Sequence, residues 1–205
     1  MGLSTLRETA ARNLATFTDP SGHYAFGTYD VAPLNTSDRL LPEDVLIANL
    51  LSLRLGWREV IPLFADTEPD DPQRVLRAAL DDALVQLRPA PSFEDYSSVD
   101  EMQAALEPVA AANRATAGVS NWTPVTVSKV LHRHAPQSIP LVDSRVQAFY
   151  GTSSRQSRQL RQRMWEDIQE NIDWLRELAS STRKPDGRPL TVLRLADILI
   201  WMSRT

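Results

Sequence analysis

Lys129 and Asp143 bracket the stretch of this sequence richest in groups that can do chemistry. An amine acts as a nucleophile only when burial or neighbouring cations lower its pKa, and His132 and Arg133, a turn from Lys129, are such neighbours. The alternatives are a lysine contacting phosphate or a solvated helix lysine. Asp143 stands one turn before Val146, where a helix N-cap belongs, and a cap alone contributes ~1 kcal/mol. The same carboxylate is also available for catalysis. His132 and His134 are two residues apart, which is about 200° around a regular helix, so they cannot hold one metal ion together. With three histidines and no cysteine, neither a metal site nor a cofactor is expected. His23, set among aromatics, reads as a packed or loop residue.

Residues 129–163 carry seven Lys/Arg and a single acid, Asp143, so this segment points to a local anion site. Arg133, Arg145, Arg155 and Arg158 are its candidate phosphate or nucleic-acid contacts. Arg155, Arg158, Arg161 and Arg163 fall at the start of a long helical stretch, where the dipole disfavours cations. Such a helix is offset by phosphate, by nucleic acid or by the acidic first half of the same chain. Glu166 and Asp167 follow Arg163 at helical pairing distance. Trp122 and Tyr150 flank the segment and either stack on an extruded base or close the core.

The elements that must position these groups read as helical almost throughout. Thr5 and Glu8 have capping-box spacing and open a helix to about residue 17. Residues 19–36, with Gly22, Gly27 and an aromatic run, read as a short hairpin or an ordered loop. Pro42, followed by Glu43 and Asp44, starts a helix to about residue 56 that is apolar on most faces, which suggests burial. A short helix begins at Trp57. Another follows Asp71-Pro72 and stops before Pro89, and a capping box spans Ser98 and Glu101, with Pro108 kinking or ending the helix after it. Thr123-Pro124 opens a helix to about residue 134, and Asp143 one that ends at Gly151. The longest helix covers about residues 154–180, and after a turn at Pro185-Asp-Gly187 a nearly all-apolar helix, 191–202, closes the chain. The expectation is an all-α single domain, residues 1–205, of eight to nine helices.

Composition bounds the classes of function. The chain has 205 residues, 42% hydrophobic and 23% charged, ordinary values for a soluble globular protein. The absence of cysteine excludes a disulfide scaffold, a thiol nucleophile and a Cys-based zinc site. The most apolar stretch, 195–202, includes Asp197 and is too short to span a bilayer. No signal-peptide pattern opens the chain, so a cytoplasmic location without membrane contact is expected. Net charge is −4, but residues 1–120 hold 18 acidic and 9 basic side chains against 8 and 13 in residues 121–205. The whole chain is therefore no general polyanion binder.

The order Gly118-Val119, a helix bearing Ser128-Lys129-Val130, then Pro140 and Asp143-Ser144-Arg145-Val146, resembles the helix-hairpin-helix core of the DNA glycosylase superfamily. It covers about a sixth of the chain. The resemblance implies that the Gly118 and Val119 amides, with Lys129, hold a DNA phosphate, Arg133 and Arg145 adding charge. It places Asp143 where the family's aspartate activates water or stabilises the cation developing at the sugar. Lys129 falls where bifunctional members carry a Schiff-base lysine. Ser120-Asn121-Trp122 stand in place of the family's second hairpin glycine, and the helix after Lys129 is about a turn shorter.

Over its length the chain is similar to an uncharacterised bacterial family common in actinobacteria. The shared features include Asp19, Pro20, Gly22, Tyr24 and Phe26, the helix at 44–53, and the terminal Val192-Leu193-Arg194 to Trp201-Met202 helix. The expected function is nucleic-acid binding with N-glycosidic cleavage. The alternatives are a non-catalytic scaffold for a protein or small ligand, and an enzyme acting on a free nucleoside or nucleotide.

Overall fold

The computed structural model describes residues 2–32, 37–184 and 186–203. Among them are eleven α-helices and no strand: α1 Arg7–Thr18, α2 Pro42–Ile47, α3 Trp57–Phe64, α4 Pro72–Leu87, α5 Val99–Ala105, α6 Glu107–Ala115, α7 Pro124–His132, α8 Ser144–Phe149, α9 Ser157–Glu170, α10 Ile172–Ser181 and α11 Val192–Met202. They share one hydrophobic core, so the chain is a single compact all-helical domain. No helix among the described residues is long and apolar enough to cross a membrane.

Two helices are buried on every side, and they hold the site. In α7 all residues from Thr126 to His132 are buried, and in α11 all from Val192 to Ile200. Both starts are capped: Thr123 Oγ1 accepts from the Thr126 amide, as its place before Pro124 implies, and Thr191 Oγ1 from the Arg194 amide. Around α7 lie α2, α4 and α6, and around α11 lie α1, α8 and α10.

Where the chain departs from the expected elements, a polar side chain competes for backbone groups. The 42–56 helix stops at Ile47 and tightens into a 3₁₀ turn, Ala48–Leu51, because the Asn49 carboxamide pairs with both the N–H and C=O of Leu55 at 2.9 Å. Ser52 then takes a left-handed φ of 63°. That segment is also less buried than its composition suggests, with Leu46 and Leu50 each 45% exposed. The 154–180 helix breaks in two at Asn171, whose Nδ2 donates to the Asp167 carbonyl and whose Oδ1 accepts from Trp174 Nε1. Thr5 forms no capping box. Its hydroxyl donates to the Gly2 carbonyl, and a 3₁₀ turn, Leu3–Leu6, precedes α1 while the Leu3 amide is held by both Asp167 oxygens. The 19–32 stretch is an ordered loop with a 3₁₀ turn at Ala25–Gly27 rather than a hairpin, while residues 33–36 of the expected hairpin, and Pro185 of the expected turn, lie outside the described residues.

Candidate functional site

Lys129 and Asp143 meet. From the middle of α7 the Lys129 ammonium donates to the Leu51 carbonyl at 2.7 Å and stands 4.0 Å from Asp143 Oδ2. Asp143 caps α8, its Oδ1 accepting from the amides of Arg145 at 2.9 Å and Val146 at 3.0 Å. One oxygen therefore fixes the carboxylate while the other faces Lys129. The left-handed turn at Ser52 follows the Leu51 carbonyl that holds the ammonium, a strained backbone placed at a site. Burial pushes the Lys129 pKa below its ordinary value, with the carboxylates of Asp143 and Asp197 opposing.

These groups line a cleft of about 190 Å³. Its walls are aromatic: Phe17, Tyr24 and Trp201, mutually packed, with Trp201 standing edge-on to both other rings. Ionic groups of α11 complete the lining. Arg194 donates through Nε and Nη2 to the two Asp30 oxygens at 2.9 and 2.8 Å, and through Nη1 to Asp197 Oδ2 at 2.6 Å. Burial works to lower the Arg194 pKa, but the Asp30 and Asp197 carboxylates hold it above its usual value. Burial lifts the Asp197 carboxyl to about 6, against Arg194 and reinforced by Asp143 and Asp30. A carboxyl raised to about 6, beside a capping carboxylate and a buried amine, can carry proton transfers.

The remaining candidates are scattered. Gly118 takes φ +82° after α6, and the Val119 amide donates to the Thr116 carbonyl at 3.0 Å, so it is turned into its own loop. Arg133 is buried with Nη1 toward the Tyr29 carbonyl at 3.5 Å. Arg145 lies over the Trp201 ring at 4.2 Å and donates to the Trp201 carbonyl at 2.6 Å, but does not itself line the cleft. Arg155 and Arg158 line a different cleft. Trp122 and Tyr150 are both buried, Trp122 Nε1 donating to the Glu59 carbonyl at 3.4 Å and Tyr150 Oη to Asp167 Oδ2 at 3.1 Å, so neither ring is presented for stacking. Arg163 donates to the Tyr150 carbonyl rather than pairing with Glu166 or Asp167. His132 Nδ1 meets the Ile139 carbonyl at 2.6 Å and His134 Nε2 stands 3.3 Å from Asp44. No group of three metal-ligating side chains occurs among the described residues.

Sequence reasoning missed Asp30, Arg194 and Asp197, and with them the aromatic walls. One signal was present: Asp197 in the most apolar helix of the chain is a carboxylate that must be buried, and Arg194 precedes it at pairing spacing. Asp30 and Tyr24 reach the site through long-range folding of a loop, which no local pattern encodes.

Neither the curated proteins nor the solved structures contain a match to this chain. A family model matches nearly its whole length, residues 10–204. The chain belongs to that family, the family of unknown function DUF6308.

Proposed function

We propose that the cleft receives the base of a nucleoside or nucleotide and that Asp143 assists cleavage of its N-glycosidic bond. The observation that carries this reading is the convergence of Asp143, Lys129 and Asp197 on one small aromatic-walled cleft. In the proposed step the Asp143 carboxylate takes a proton from water as the water oxygen bonds to the anomeric carbon. The carbon–nitrogen bond breaks, and Asp197 in its acid form gives a proton to the departing base nitrogen. Phe17, Tyr24 and Trp201 flank the base, and Lys129 keeps Asp143 in register. A volume of about 190 Å³ is below the ~300–1,000 Å³ of sites for drug-sized ligands and suits one ring system. A free nucleoside or nucleotide is favoured over duplex DNA because the Val119 amide is engaged and Trp122 and Tyr150 are buried.

The test is base release from a panel of nucleosides, nucleotides and single-stranded oligonucleotides by wild type and Asp143→Asn. Asparagine retains the N-cap, and the stability lost with the carboxylate that faces buried Lys129 is read separately by denaturant unfolding of the same variant. Release should nonetheless fall about 10²–10⁴-fold, the usual contribution of a positioned acid–base group. Unchanged release in Asp143→Asn would overturn the mechanism. Binding of a duplex carrying an abasic-site analogue, if tight and steeply salt-dependent, would move the substrate from the free nucleotide to DNA.

A further inference from the structure

A second cleft, sharing no residue with the first, opens between α5, α6 and the start of α9. Its lining includes four arginines, Arg114, Arg155, Arg158 and Arg161, against two acids, Asp100 and Glu107. Arg114 is matched by Glu107 at 2.8 Å. Arg161 is different: it is only 6% exposed, and its Nε and Nη2 both donate to the neutral Gln103 Oε1, at 3.1 and 3.0 Å. Among the described residues no carboxylate lies within ion-pair distance of it. A buried charge whose hydrogen-bond acceptor is an amide, with Glu107 acting on it only from beyond ion-pair distance, keeps much of its desolvation cost. Arg155 and Arg158, exposed at the same lining, add charge at the start of α9, where the dipole disfavours it. Asn113 ends at the same place with its Oδ1 buried and without a hydrogen-bond donor.

We infer that this cleft binds phosphate, either the free ion or a phosphate monoester. A phosphate oxygen supplies the direct ionic partner that Arg161 lacks, and a guanidinium suits it. Inorganic phosphate at neutral pH also keeps one hydroxyl, the donor that Asn113 Oδ1 lacks, whereas sulfate has none. The site stands independently of the reading given to the Asp143 cleft.

The experiment is thermal unfolding and calorimetric titration of the full chain with inorganic phosphate, with sulfate at matched ionic strength, and with a 5′-phosphorylated dinucleotide against its unphosphorylated twin. Phosphate should raise Tm and bind at least tenfold more tightly than sulfate. Binding by the phosphorylated dinucleotide but not its twin would assign the monoester as the source, and binding by inorganic phosphate alone the free ion. The exposed pair Arg155→Ala/Arg158→Ala, which removes no buried contact and relieves repulsion at the start of α9, should weaken phosphate at least tenfold without lowering the unliganded Tm. Arg161→Gln should abolish binding. Equal effects of phosphate and sulfate, or titrations unaltered in the Arg155→Ala/Arg158→Ala protein, would overturn the inference.

Discussion

Replacing Arg194 by methionine is expected to destabilise the fold by about 3–5 kcal/mol near neutral pH, the cost of breaking a buried ionic group by removing one partner. Methionine keeps an apolar stem over the Phe17 and Tyr29 rings, which the guanidinium overlies at 5.6 and 5.5 Å. What is lost is the counter-charge to two carboxylates, Asp30 and Asp197, with side chains only 6% and 7% exposed. Denaturant unfolding measures the loss through a shift in midpoint at unchanged slope. Because burial already lifts Asp197 to about 6, the loss should shrink in acid as that carboxyl takes up a proton. Adding Asp197→Leu removes one stranded charge and should recover a large part of the stability. A loss below about 1 kcal/mol would mean that water reaches these carboxylates and screens them as it does surface pairs.

The same triad marks how far the sequence was legible. The helical class, the single domain and the caps at Ser98, Thr123 and Asp143 follow from local chemistry, because a capping side chain and its amide are three residues apart or fewer. The breaks at Asn49 and Asn171 were not legible, since a helix tolerates asparagine unless a nearby backbone or side-chain group is in place to capture its amide. For the candidate site, Lys129 and Asp143 were identified by motif, but their meeting depends on packing the start of α8 against α7. The pairing of Asp30 with Arg194 spans 164 residues and leaves no trace in any window of sequence. Trp122 and Tyr150 mislead for a related reason: an aromatic beside a motif has the same local pattern whether it stacks on a ligand or fills the core, as both do here.

The second large effect is expected from pH, and it links stability to the cleft chemistry. Asp197 is held by burial near 6 instead of 3.8, with Arg194 opposing and Asp143 and Asp30 reinforcing. His132, buried against Tyr29, is depressed by burial to about 4 from 6.5, with Arg194 acting in the same direction and its bond to the Ile139 carbonyl opposing. Between those limits the folded state keeps a proton on Asp197 that the unfolded chain has released. It also lacks a proton on His132 that the unfolded chain retains. Stability follows the difference in bound protons, so the Asp197 contribution is present in acid and lost as pH rises toward 6. The His132 contribution is present above 6.5 and lost as pH falls toward 4. In the wild type the two slopes largely cancel. Asp197→Asn leaves His132 uncompensated, and at up to ~1.4 kcal/mol per proton per pH unit the variant should lose about 2 kcal/mol relative to wild type between pH 6 and 4. His132→Asn, whose amide can still donate to the Ile139 carbonyl, should show the reverse slope, losing stability as pH rises through the same window. Urea unfolding at half-unit pH steps reads both. An Asp197→Asn curve parallel to wild type would place the Asp197 proton loss below the window, and the cleft would then have no acid to give the departing base.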